Sequence, residues 1–526
     1  PNGMPVTSLM DPSAQQQQAN AQLQRSIANL GTAAQNIAAM QAAQANARAA
    51  AGNTDATIPD GLSEGGLKVD TNSLTKGWIN AQAPTQTSAN GKTNVNIAQT
   101  ADKAILNWET FNVGRNTSVN FAQQSDWAAL NRVNDPNARP SQIQGQIHGD
   151  GTVLILNRNG VIFGGTSQVD TRNLVVAAAR MSDAQFQTGG IYGANGTTPS
   201  FTDALGKVEV QAGANITTRT PTSVTQGGGY VLLLGNQVSN AGAIVTPQGQ
   251  VALAAGDSFV IRKGVGTDAN TASTTRGNEI SPQFVAQSTA GKVVNTGLLM
   301  ASEGDITLAG RDVQQLGTAV STTTVNTRGT IHLLNSASDT QGKVTLGSGA
   351  LTSVLISDSG ATALDSQRTA LIQDSATQDA LRAGTSSGLF DNLSKLSDRR
   401  DQSRVEIVSG GNVEFQSDSL TLATGGQIAV SATGRSFVAN RAQLDVSGAV
   451  GVSLSMDSNN VKVNVQGNEQ RDAPGNRDNA ALNNANVWID RRRLVYVPAS
   501  VGGYANERWY TPGGLLEVGG YLANQA

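Results

Sequence analysis

The chain has 526 residues, with 36 Lys plus Arg against 39 Asp plus Glu, and its formal net charge of -3 with no long basic block excludes an ordinary nucleic-acid-binding surface. It has no cysteine and only two histidines, His148 and His332, far apart in sequence, which excludes disulfide frameworks, Fe–S clusters and a thiolate nucleophile and leaves zinc without a ligand set. Aromatics are 4% and charged residues 14% against 58 Gly, so the core has to be built from small side chains, and no apolar run is long enough to span a membrane.

Residues 1–65 form a first segment rich in Ala and Gln. Asp11-Pro12-Ser13 is a helix start, and Leu23, Ile27, Leu30, Ile37 and Met40 make one stripe at helical spacing. The pattern predicts one long helix, or two broken near Gly31-Thr32, serving as a spacer or as a docking or capping element. There is no charged start followed by an apolar stretch, so any export signal is expected to lie outside this sequence.

From Gly65 the texture changes to short runs of period two, each closed by Gly, Asn, Asp or Ser. Gly249-Gln-Val251-Ala-Leu253, Gly304-Asp-Ile306-Thr-Leu308 and Gly329-Thr-Ile331-His-Leu333 are examples, and each reads as a short strand. Two of them sit in a larger repeat, Asn240-Ala-Gly242 before Gly249 and Asn295-Thr-Gly297 before Gly304. A looser copy runs from Leu316-Gly317 to Gly329. A unit of roughly 20 residues holding two or three strands predicts a β-solenoid, because one coil cannot bury its own apolar face but stacked coils can. A β-sandwich array is the alternative, and it wants more Trp and Tyr and longer strands.

Helical texture returns at residues 361–400 and predicts an insertion leaving the stack. Residues 466–486, rich in Asn, Asp, Arg and Gly, read as a surface loop. Trp488, Tyr496, Tyr504, Trp509, Tyr510 and Tyr521 then gather at the end of the chain, which predicts different packing there. The Gly-rich stretch after Trp509 looks like an entry into further coils, so the natural chain is expected to be longer.

One region is more specific. Ile105-Leu-Asn-Trp-Glu-Thr-Phe-Asn-Val-Gly114, Ser118-Val-Asn-Phe121, Ala129-Leu-Asn-Arg-Val133, Gln142-Ile-Gln-Gly-Gln-Ile147 and Gly151-Thr-Val-Leu-Ile-Leu-Asn-Arg-Asn-Gly-Val-Ile-Phe-Gly164 follow in order, with Leu174-Val-Val-Ala-Ala178 after them. This succession resembles the secretion domain of filamentous haemagglutinin-type exoproteins, the passengers of two-partner secretion in Gram-negative bacteria, over roughly residues 66–310. The resemblance implies a right-handed parallel β-helix with an amino-terminal cap. It implies export through the periplasm and a dedicated outer-membrane β-barrel transporter whose periplasmic domains read the passenger. Members are mostly adhesins, with some cytolysins, haem-acquisition proteins and contact-dependent toxins. The family's Asn-Pro-Asn-Gly stretch is matched by Asn157, Arg158, Asn159 and Gly160, with Arg158 in place of proline. Asn159-Gly160 suits a tight turn, while the rigid φ of proline is lost. The turn is expected to hold two strands in register, and it is also the candidate for reading by the transporter.

Catalysis is disfavoured. β-Helix polysaccharide enzymes use paired carboxylates or calcium on one face. Asp305, Glu406 and Glu414 lie in separate strands and are expected to face solvent. His148, before a turn, is expected to be exposed, and His332, opposite Ile331 and Leu333, is expected to point outward. Arg491-Arg-Arg493 reads as a solvated face, or as a contact for an anionic glycan or lipid headgroup. The Gly clusters at 227–229 and 410–411 follow no phosphate-loop pattern. The sequence therefore reads as 1–65 helical, 66–310 secretion domain and 311–526 continuing β-helix. It is expected to be non-catalytic and without cofactor or metal, secreted or at the cell surface, with the transporter as partner and a host receptor or matrix polysaccharide as possible ligand. The front end of a toxin or cytolysin, and a β-helix polysaccharide enzyme, remain as alternatives.

Overall fold

The short alternating runs form strands, and each strand pairs in parallel with the equivalent strand of the next unit. Lys292–Asn295, Leu298–Ala301 and Asp305–Ala309 pair with Asp312–Gln315, Thr318–Thr323 and Thr330–Leu334 respectively. Three strands per coil give three faces, and the same pairings recur along the chain, as in Gln237–Asn240 onto Lys292–Asn295 and Thr330–Leu334 onto Arg404–Ser409. The architecture is a parallel β-helix. This computed structural model describes residues 12–72, 77–219, 228–264, 277–323, 329–357 and 403–449, with four short strands beyond, Asn460–Asn464, Asn486–Asp490, Val495–Val497 and Arg508–Tyr510. The expected insertion 361–400 and Arg491–Arg493 lie outside the described residues. So does the expected loop 466–486 save Asn486, which opens a strand.

Alternation places the core. Ile306, Leu308, Ile331, Leu333, Val405 and Ile407 point inward from one face and meet Val293, Val313, Val344 and Leu299 from the other two. At the amino-terminal end Leu67–Val69 runs antiparallel to Lys103–Phe111, and Thr85–Ala89 antiparallel to Lys92–Ala98. Trp108 is fully buried there, with ring centroids 4.8 Å from Trp78 and 5.3 Å from Phe111. These antiparallel strands and large rings cap the first coil, whose edge would otherwise template association.

The sequence repeat becomes columns in space. The Asn240 amide donates to Asn295 Oδ1 at 2.8 Å, and the Asn295 amide donates to Gln315 Oε1 at 2.7 Å. Buried polar groups at one corner of the stack thus satisfy each other from coil to coil. At the next corner Gln250 N donates to Gly229 O at 3.0 Å, Asp305 N to Gly249 O at 3.0 Å and Thr330 N to Gly304 O at 3.1 Å. The Gly cluster before Tyr230 is therefore the start of a glycine column.

Residues Pro12–Gly52 form one unbroken helix, α1, of 41 residues, with Gly31 inside it. The expected apolar stripe lies on the docked side only in part: Leu23, Leu30, Ile37 and Met40 are half-buried, and Ile37 packs against the same cluster as Ala33. Ser26, Asn29, Ala33 and Gln44 are buried, while Ile27 is 49% exposed. Ala33 packs with Val320, Leu351, Leu420 and Leu422, which point outward from the first face, formed by Leu298–Ala301, Thr318–Thr323, Leu351–Ile356 and Leu420–Ala423. At the points of closest approach the small residues Ser26 and Ala33 let the helix backbone come near the strands.

On the second face, which carries Asp305–Ala309 and Thr330–Leu334, the early coils are covered by additions that the sequence reading did not foresee. A short helix, Asp183–Gly189, and an antiparallel pair, Ser258–Lys263 with Asn278–Gln283, bring Phe186, Phe201 and Phe259 over Leu232, Leu234, Ala252 and Ala254.

Candidate functional site

The turn Asn157–Gly160 joins the long strand Gln146–Leu156 to Gly160–Phe163. Asn157 organises it. Its amide donates to Arg139 O and Ser141 Oγ, both at 3.0 Å, its Oδ1 accepts from Asn159 N at 3.0 Å, and its carbonyl accepts from Gly160 N at 2.9 Å. Gly160 has φ of 120°, and a Cβ there would stand 2.8 Å from Lys207 O. Only glycine fits both demands. Asn157 is buried, while Arg158 and Asn159 are half-buried and reach the surface.

Where the family pattern has proline, Arg158 instead makes an ion pair with Asp203 Oδ2 at 2.7 Å, and Arg180 lies 3.5 Å from the same oxygen. Asp203 comes from a distant loop and itself has φ of 58°. An ion pair this exposed is worth only ~0–1 kcal/mol. The structural burden of the turn therefore falls on Asn157 and Gly160. Asn157→Ala is expected to lower the unfolding free energy by about 2–3 kcal/mol, since it strands the buried Ser141 hydroxyl, the Asn159 amide and the part-buried Arg139 carbonyl. A urea titration of the purified chain reads this as a drop in midpoint, and an unchanged midpoint would refute the structural role.

The carboxylates and His332 are placed differently from expectation. Asp305 and His332 are fully buried, and the Glu406 side chain is 15% exposed. His332 does point away from Ile331 and Leu333, but its coil neighbours enclose it. Its Nδ1 lies 3.0 Å from Glu406 Oε2 and its Nε2 3.1 Å from Asp305 Oδ2. Thr307 Oγ1 donates to Asp305 at 2.7 Å, Thr330 Oγ1 at 2.6 Å, and Arg404 lies 2.8 Å from Glu406 Oε1. Burial pulls the His332 pKa down, but the two carboxylates outweigh it and hold it up at about 9. Stacking thus brings together two of the three carboxylates singled out in the sequence. It locks them on a cation rather than presenting them as an acid–base pair. Glu414 is half-buried on another face, and His148 is half-buried rather than exposed, 3.4 Å from Gln146 Oε1. Among the described residues no cluster of three or more His, Cys, Asp or Glu is arranged for a metal, and no helix is long and apolar enough to cross a membrane.

The chain thus presents a capped, three-faced parallel β-helix with an Asn-centred turn. Residues 75–280 match the family model described as TPS secretion domain, the domain of two-partner secretion. Residues 75–280 thus carry a two-partner-secretion domain, the export unit found in filamentous haemagglutinin-type exoproteins. Such proteins are exported across the outer membrane of Gram-negative bacteria, to the cell surface or the medium.

Relatives include two proteins named heme/hemopexin-binding protein from Haemophilus influenzae. One is 38% identical over 80 residues, 15% of this chain and 8% of that protein. The other, from strain ATCC 51907 / DSM 11121 / KW20 / Rd, is 28% identical over 214 residues, 40% of this chain and 21% of that protein. The matches thus span less than a quarter of those proteins. Among solved structures, the HMW1 secretion domain from Haemophilus influenzae aligns with a TM-score of 0.42 and 18% identity over 71% of this chain and 84% of that one. A filamentous hemagglutinin secretion domain aligns with a TM-score of 0.34 and 13% identity over 71% of this chain and all of that one.

Proposed function

We propose that this chain is the secretion unit and the first part of the shaft of a large surface adhesin, and that it works without catalysis. The supporting observation is that the stretch matching the secretion-domain model runs directly into further coils of the same stack, out to Gln443–Asp445. In this reading the unfolded passenger engages the transporter, and the coils stack outside the cell. Each added coil buries apolar side chains and pairs with its predecessor, so stacking makes export irreversible. The adhesive ligand, a host receptor or a matrix polysaccharide, belongs to the whole protein. The haem or hemopexin binding in the relatives' names is theirs. Of the two histidines here, His332 is enclosed by carboxylates and offers no haem ligand.

Within the turn we assign folding to Asn157 and Gly160, and reading by the transporter to Arg158 and Asn159. Secretion from cells with and without the transporter encoded beside the gene tests both statements. Wild type is expected in the medium only with the transporter, and equal export without it would refute the reading. Arg158→Ala, which gives up only the exposed ion pair, is expected to cut export while leaving the unfolding midpoint unchanged. Full export of that variant would remove Arg158 from recognition. Cleavage of a polyuronate by the purified chain would reopen the enzymatic alternative.

A further inference from the structure

The long amino-terminal helix is the largest feature that export leaves unexplained. It precedes the secretion domain in sequence, yet its contacts reach far along the chain. Near its carboxyl end Arg48 Nε donates to Gly213 O at 2.8 Å, and Gln44 accepts from Gly213 N at 2.9 Å and donates to Ala241 O at 2.8 Å. Near its amino end Asn29 donates to Asp445 Oδ2 at 2.8 Å, and Ser26 to Gly448 O at 3.3 Å. The helix therefore lies along the stack and runs against the order of the coils.

The lengths agree. From Arg48 to Asn29, at ~1.5 Å per residue, the helix rises about 28 Å. From Asn215–Thr218 to Gln443–Asp445 the first face takes six strand-to-strand steps, which at ~4.8 Å each make about 29 Å. The approach is close enough to constrain both partners. A Cβ on Gly213 would stand 2.6 Å from Arg48 N, and one on Gly165 2.7 Å from Ala51 Cβ.

Beneath the helix the first face turns Val320, Leu351, Leu420 and Leu422 outward, and all are buried. Without α1 they would form a continuous apolar flank, of the kind that drives association. The helix itself is polar and Ala-rich, and in folded proteins packing of a buried face supplies most of a helix's stability. Its docking surface is not complete until the coil that ends in Asp445 has formed.

We propose that α1 is an intramolecular strap: it docks only on a stack completed from Gly213 to Asp445, and by docking it closes an apolar flank of the shaft. The strap is a property of the folded chain and does not depend on which ligand the whole protein binds.

Hydrogen exchange on the full chain tests this. Ala33→Arg puts a charge where Ala33 meets the four apolar side chains, and the doubly substituted Asn29→Ala, Gln44→Ala removes the bonds at both ends without adding bulk. In each, the α1 amides are expected to exchange at least roughly tenfold faster than in wild type, while those of Tyr230–Gly235 and Gln250–Ala255 keep their protection. Pulse labelling during refolding is expected to protect α1 no earlier than Leu420–Ala423. Unchanged α1 exchange in both variants, loss of strand protection together with α1, or protection of α1 before the late coils would each overturn the proposal.

Discussion

Gly249→Val is expected to dismantle the stack around it. Gly229, Gly249 and Gly304 succeed one another at one corner, each a coil above the last, and the amide after each receiving glycine bonds the carbonyl of the glycine below. A Cβ at Gly249 would fall inside contact distance of the Gly229 carbonyl oxygen, and one at Gly304 would do the same to Gly249 O. The obstacle is backbone engaged in the pairing itself, so neither side can yield without breaking it. Overpacking typically costs ~1–3 kcal/mol, the upper end applies where backbone is the obstacle, and because coils support their neighbours the loss spreads along the stack. Thermal unfolding is expected to show a lower, broader transition. Gly31→Ala is the control, since a Cβ at that helical position meets nothing within 4 Å. It is expected to leave the coils unchanged. A wild-type melt for the valine variant would mean that the corner is looser than the column implies.

The second large effect concerns His332. Its pKa is held at about 9, above the ordinary 6.5, chiefly against the pull of burial and by Asp305 and then Glu406. A raised histidine stabilises the fold when protonated, so this contribution is fully present below pH 6.5 and is lost as the pH rises through about 9. The difference corresponds to about 3 kcal/mol at most. The stability of the wild-type chain is therefore expected to decline between those limits. His332→Leu leaves the buried Asp305 and the partly buried Glu406 without their shared cation, which costs about 3–5 kcal/mol at neutral pH and flattens the profile over the same window. Urea midpoints at three pH values suffice. A leucine variant as stable as wild type at pH 6 would show that the carboxylates are held by Thr307, Thr330 and Arg404 alone.

The repeat was legible because a solenoid reuses each position. Asn240 and Asn295 recur in sequence since they sit one above the other, and the glycines that follow them recur for the same reason. The period of two likewise told which side of each strand faces inward. What it could not tell is what lies over the outer side. His332 and Glu406 were rightly turned away from the core, yet the neighbouring coils bury His332 fully and Glu406 in part. The helix was legible as a helix and its docked side in part, since Leu23, Leu30, Ile37 and Met40 are half-buried, but the fully buried Ser26, Asn29 and Ala33 were not, because hydrophobic spacing does not describe small and polar residues on a flat strand surface. At the candidate site the turn chemistry of Asn159-Gly160 was visible. The partner of Arg158 was not, because Asp203 arrives from a loop that only the coiling brings near.

A helix fastened at both ends also fixes arithmetic. Solenoids ordinarily lengthen by duplicating a coil, and one extra coil adds ~4.8 Å, or about 3.2 residues of helix. No whole number of residues meets that demand: three leave the buried stripe about 60° short of its place, and four carry it about 40° past. Between Gly213 and Asp445, where Arg48 and Asn29 are tied down, the helix therefore fixes the number of coils it can span. Variation in shaft length is expected to enter outside that span.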